Sequence, residues 1–118
     1  MTTVESRTLS VRIERPLSEV YGFLAEPRNF PEWASGMAPG DENVTYTARN
    51  DHGIADHTVH LPDGRAVYVP LRAIRNGTGT EVQLTLFRLP EMTDASFAAD
   101  AEWVSKDLNA LKTLLEKD

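Results

Sequence analysis

The sequence predicts an α+β domain in which a long C-terminal helix covers one face of an antiparallel sheet. Three observations predict it. Turn signals rich in Gly, Asn and Asp recur between residues 43 and 89, and the segments they separate alternate apolar with polar residues. Residues 94–116 then carry an apolar stripe at helical spacing. At 118 residues the chain has the size of one domain, so residues 1–118 are expected to fold as a single unit.

Residues 6–15 alternate, with Leu9, Val11 and Ile13 on one side and Ser10, Arg12 and Glu14 on the other, as in a half-buried strand. Pro16 ends it. Ser18 and Glu19 suit the first turn of a short helix, whose apolar stripe is Val20, Phe23 and Leu24 and which Pro27 stops. A second short helix holds Phe30, Trp33 and Ala34, with Pro31 in its first turn and Gly36 after its end. Strands are expected near 43–49, 54–61, 65–75 and 80–88. The last helix, capped by Thr93 or Asp94, puts Phe97, Ala101, Val104, Leu108, Leu111 and Leu115 on one side. At its length it spans roughly 35 Å, enough to cross a small sheet.

The turns set the register. Pro62-Asp63-Gly64 reads as a type I turn followed by a left-handed Gly64, which places Leu61 opposite Arg65, Val59 opposite Val67 and His57 opposite Val69. A four-residue loop at 50–53 pairs Arg49 with Ile54, Ala48 with Ala55 and Tyr46 with His57; one at 76–79 pairs Arg75 with Thr80, Ala73 with Val82 and Leu71 with Leu84. The three turns agree on one dry face: Val44, Tyr46, Ala48, Ala55, His57, Val59, Leu61, Val67, Val69, Leu71, Ala73, Val82, Leu84 and Leu86. Its only polar tips are Tyr46 and His57, side by side. The other face carries Thr45, Thr47, Arg49, Asp56, Thr58, His60, Tyr68, Arg72, Gln83 and Thr85, with Phe87 and Ile74, and reads as solvated.

Composition removes several functions. There is no cysteine, hence no disulfide framework, thiolate metal site or cysteine nucleophile. A net charge of −6 with scattered Lys and Arg disfavours nucleic acid. No apolar run approaches the roughly 20 residues of a membrane span, and no signal peptide is evident, so the expected location is the cytoplasm.

The element order, together with Ile13-Glu14-Arg15-Pro16-Leu17-Ser18-Glu19-Val20-Tyr21-Gly22-Phe23-Leu24 and the following Pro27, Phe30 and Pro31-Glu32-Trp33, resembles the helix-grip fold of the START/Bet v 1-like (SRPBCC) superfamily, in particular its polyketide cyclase/dehydrase-like branch. The resemblance implies a cavity between sheet and long helix for a hydrophobic or aromatic molecule. The family includes enzymes, carriers, receptors and co-chaperones. With only about ten residues between Trp33 and Val44, where larger members have extra strands, the sheet is expected to have about five to six strands and a small or partly open pocket.

Within that frame the ligand-binding candidates are Trp33, Tyr46, His57, Val69, Leu71, Leu84, Arg88, Val104 and Leu108. Tyr46 and His57 are also the catalytic candidates, since a phenol and an imidazole in an apolar cavity could orient a carbonyl or hydroxyl, or pass a proton. The plainer reading is a mutually hydrogen-bonded core pair. Trp33 and Trp103 suit packing or stacking on an aromatic ligand. Arg88 could lean over the opening, whereas Arg72, Glu102, Lys106 and Asp107 read as surface. His52, His57 and His60 do not share a face, so no metal and no cofactor is expected. The readings are thus a small-molecule binder, a cyclase/dehydratase-type enzyme using His57 and Tyr46, or a co-chaperone-like or toxin–antitoxin interaction module. Sheet edges left by the shortened strand region could pair in a homodimer.

Overall fold

The computed structural model describes residues 2–34 and 44–117. Strand β1 (Ser6–Ile13) leads through Pro16 into helix α1 (Leu17–Leu24), a 3₁₀ turn (Pro27–Asn29) and the short helix α2 (Phe30–Trp33). Strands β2 (Val44–Tyr46), β3 (His57–His60), β4 (Ala66–Val69), β5 (Leu71–Asn76) and β6 (Gly79–Phe87) follow, and helix α3 (Asp94–Leu115) closes the chain. Residue 43 and Gly36, expected in a strand and after α2, lie outside the described residues.

The strands form two three-stranded antiparallel sheets, ordered β1-β6-β5 and β2-β3-β4. The turn-derived register holds at His57↔Val69, Val59↔Val67, Tyr46↔His57, Leu71↔Leu84, Ala73↔Val82 and Arg75↔Thr80. Leu61 N–H donates to Arg65 O and Gly64 N–H to Leu61 O, and Gly64 has φ +92°.

Several boundaries differ from the expectation, each for a local reason. The segment 65–75 is two strands, because Pro70 offers no N–H to the ladder and β4 stops before it. Of residues 44–49, Val44–Tyr46 form the strand, with one further bond from the Thr47 N–H to Asp56 O. Beyond it the Asn50 side chain replaces strand pairing, accepting from the N–H of His52 and Ile54 and donating to the carbonyls of Ala48 and Ile54. Ala48 and Arg49 are therefore unpaired in an exposed loop, and Ala48 leaves the dry face. Ile54 instead bridges to Arg72. The β5–β6 loop is two residues, since Asn76 pairs with Gly79, and Gly77 supplies the left-handed φ of +61°. Strand β1 ends at Ile13 rather than residue 15, and α1 is capped by Pro16 with no side-chain acceptor, so Ser18 caps nothing.

The hairpin 53–60/66–73 carries the chain from one sheet to the other. Ala55 N–H donates to Leu71 O and Ala73 N–H to Gly53 O, both at 2.8 Å, continuing the β3–β4 register across Pro70. Thr85 N–H of β6 reaches Pro70 O at 3.0 Å. Gly53 is required here: its φ is +74°, and a Cβ would lie 2.1 Å from Ala73 O.

Helix α3 packs against the inner face. Thr93 and Ser96 form a reciprocal cap, each side-chain oxygen accepting from the other's backbone N–H. At the far end Lys112 donates to Arg12 O, and Glu116 accepts from the Glu14 N–H, tying the helix to the end of β1. Ile13, Val20, Leu24, Trp33, Leu71, Val82, Leu84, Val104, Leu108 and Leu111 are each at most 2% exposed, so the centre of this face is packed solid. Fully burying one such aliphatic side chain contributes about 1.5–3 kcal/mol.

Gly53→Ala is expected to lose more than about 2 kcal/mol through backbone strain and displacement of Ala73. Gly64→Ala, with a similar φ but open space around it, should lose about 1 kcal/mol. Urea unfolding of the two variants measures the difference, and equal losses would contradict the role assigned to Gly53.

Candidate functional site

Two features stand apart from the packed core: a polar knot at the sheet junction, and an apolar cavity beside it. The knot centres on Asp56, which alternation had placed on the solvated face. It is buried, because it sits at the junction between the sheets rather than on an open strand. Its carboxylate accepts from Arg72 Nε and Nη2 at 2.8 Å each, from Tyr68 Oη at 2.7 Å and from the Leu71 N–H at 2.8 Å. Burial alone would raise its pKa. The hydrogen bonds from Arg72, Tyr68 and Leu71 and the Arg72 charge outweigh that and hold the carboxyl at about 2.

The knot sets the state of His57. In a regular ladder the Leu71 N–H would return to Ala55 O. Here it goes to Asp56, and the Ala55 carbonyl instead meets His57 Nδ1 at 3.3 Å. A carbonyl only accepts, so the proton sits on Nδ1 and Nε2 carries a lone pair. Nε2 is buried without a hydrogen-bond partner among the described residues. Burial pushes the imidazole below its ordinary 6.5, against the Ala55 bond and the Asp56 charge, so the ring is neutral near pH 7.

Aromatic rings surround it. Tyr46 stacks on His57 with centroids 5.1 Å apart, and Phe30 meets it edge-on at 5.1 Å. Phe30 also meets Tyr46 and Trp33 edge-on. The expected pair is thus brought together, but as stacked rings. Phe30 is a third member that pattern alone assigned only to a helix.

The cavity lies where α3 runs closer to β1 than to β3 and β4. It measures about 200 Å³ and is walled by Val59, Leu61, Val67, Val69, Leu86, Phe87, Leu89, Met92, Asp100, Trp103 and Val104. Val59, Val69, Leu86 and Val104 are buried and form its inner end; Trp103, half exposed, forms its rim. Of the nine ligand-binding candidates only Val69 and Val104 line it. Trp33, Leu71, Leu84 and Leu108 belong to the close-packed core. Arg88 is engaged outside, with Glu5, Asp94 and the Met92 carbonyl. Leu61, Leu89, Met92 and Trp103 were not among those candidates; the loop residues follow no alternation, so only coordinates reveal them. A larger groove of about 560 Å³ at the start of α1 is lined by polar residues including Ser18, Asn50, Asp51 and Arg75.

One further residue corrects the surface assignment: Asp107 is buried on α3, not on its wet side. Arg72 keeps a side chain 44% exposed, with its guanidinium paired to Asp56. The histidines stay apart: His60 Nε2 meets Thr45 Oγ1 at 2.7 Å on the outer face, His52 is exposed in a loop, and His57 is inside. Among the described residues no three His, Asp or Glu side chains converge as metal ligands, and no helix is long and apolar enough to cross a membrane.

This architecture is the helix-grip fold, with two short helices after the first strand and a long C-terminal helix packed against the antiparallel sheets. Solved structures share it end to end. A Mesorhizobium loti protein is 16% identical with a TM-score of 0.72, covering 95% of this chain and 97% of its own. A Cytophaga hutchinsonii protein is 19% identical at 0.71, covering 98% and 97%. The AHSA1-like protein of Rhizobium etli is 17% identical at 0.63, covering 97% and 85%. At these identities the likeness is one of fold. No family model and no curated protein matches the sequence.

The buried imidazole gives a pH dependence of known sign. Its folded pKa lies below its unfolded value, so its contribution is complete above pH 6.5 and is lost as the pH falls toward the folded pKa. Asp56 acts lower, its contribution disappearing between pH 3.8 and about 2. Thermal melts are expected to show a stability decline on acidification below neutrality in the native protein. His57→Leu should remove that first decline and keep the second, whereas Asp56→Asn should remove the second. A first decline unchanged in His57→Leu would show that His57 is not its source.

Proposed function

We propose that this protein binds a small apolar or aromatic molecule in the cavity between α3 and strands β3, β4 and β6. The observation that carries this is the cavity itself: a wall of Val, Leu, Phe and Met side chains left open on a face that is otherwise packed solid. Apolar surface kept open in this way loses both burial and dispersion unless something occupies it. The resemblance to the helix-grip fold supports the reading, since it implies a cavity between sheet and long helix. At about 200 Å³ the cavity falls below the roughly 300 Å³ at which drug-sized pockets begin, which points to an occupant of one or two rings. Asp100 at the rim and the net charge of −6 disfavour an anion.

A second reading, catalysis of the cyclase/dehydratase type, draws on one observation. His57 holds a free lone pair in an apolar setting with its pKa lowered, as a general base would. Turnover of a bound ligand that His57→Ala abolishes while affinity persists would separate an enzyme from a carrier.

Methyl-resolved NMR during titration with naphthol tests the binding reading. Shifts are expected at Val59, Leu61, Val67, Val69, Leu86 and Val104, and Val67→Trp, which fills the cavity, should weaken binding roughly tenfold or more. Saturable shifts confined to the polar groove at α1, or no shifts, would contradict it.

A further inference from the structure

The orphaned nitrogen of His57 says what kind of molecule the cavity is built to hold, an inference that rests on the binding reading above. His57 lies directly opposite Val69 and two residues from Val59 on the same inner face. Those two valines close the inner end of the cavity. The imidazole is therefore the next side chain beyond that end, 2% exposed, held between Tyr46 and Phe30. Buried polar atoms nearly always find a partner, and one left without it in an otherwise well-packed protein marks a place for a water or a ligand group.

The tautomer narrows the missing group. Nδ1 is committed to the Ala55 carbonyl, so Nε2 can only accept. A ketone, ether or carboxylate at that position would set lone pair against lone pair. A hydroxyl would donate. We infer that the ligand is a neutral aromatic or alicyclic molecule bearing a hydroxyl, which passes between Val59 and Val69 and donates a hydrogen bond to His57 Nε2.

The test compares two probes of equal size, naphthol and the methylnaphthalene with its substituent at the same ring position. Burying an unpaired hydroxyl disfavours naphthol; pairing it with His57 reverses the order. Calorimetric titration of the native protein is expected to show naphthol binding roughly tenfold tighter. His57→Leu should keep methylnaphthalene binding and lose the preference. Because that variant could fail to fold, the native protein supplies a second readout: the ¹⁵N resonance of His57 Nε2 should move on adding naphthol and stay in place with methylnaphthalene. If methylnaphthalene binds as tightly as naphthol, or the Nε2 resonance does not respond, the hydroxyl inference is overturned while the cavity reading stands. If neither probe binds, both fall together.

Discussion

The structure depends on how one carboxylate deals with a gap in a β-ladder. Pro70 interrupts the long arm of the central hairpin just where it passes from one sheet to the other, and Asp56 sits opposite. A carboxylate buried at a sheet junction would ordinarily be expelled or protonated. It stays ionised because one guanidinium, one phenol and one backbone N–H converge on it. In return it ties the residue before β3 to Leu71 and Arg72 of β5, beside the backbone bonds that Ala55 and Ala73 make across the proline. The same substitution of partners frees the Ala55 carbonyl and gives it to His57, so the ionisation state of a group on the outer side of the hairpin selects the tautomer of one on the inner side.

The rest of the site follows from how well α3 fits the sheet. Where the helix follows β1, aliphatic side chains interlock and leave nothing open. Where it diverges from β3 and β4, an apolar cleft remains, with Trp103 at its mouth and the His57 ring behind its inner wall. The cavity shares Val59, Val69 and Val104 with the core, and Leu89 and Met92 of the loop before α3 complete its wall. That makes its volume sensitive to single methyl groups, as close-packed interiors are.

Most of the fold was legible in the sequence because the information is local. Each hairpin turn fixes a register over a few residues, and Leu71, Val82, Leu84 and the stripe of α3 then fall on the inner face whatever the details of the strand ends. The errors arise where a side chain does the work of backbone. Asn50 closes a loop that periodicity read as strand, removing Ala48 from the dry face. Asp56 followed the alternation to the outer face yet is buried, because alternation describes open strands and not junctions. The clue was present: hairpin register sets Asp56 opposite Pro70, with Tyr68 and Arg72 flanking on the same face. The cavity was less legible still. Its walls include Leu89 and Met92 from a loop with no period, and Leu71, Leu84 and Leu108 lie in the packed core beside it.

The tautomer of His57 tests this account most directly, since the diverted ladder bond, the orphaned nitrogen and the ligand chemistry all meet in it. Long-range ¹H–¹⁵N NMR of the free protein near neutral pH reports which ring nitrogen carries the proton. A neutral ring with its proton on Nδ1 and a bare Nε2 is expected. A proton on Nε2, or a fully protonated ring, would contradict the coupling of Asp56, Ala55 and His57 from which the site is derived.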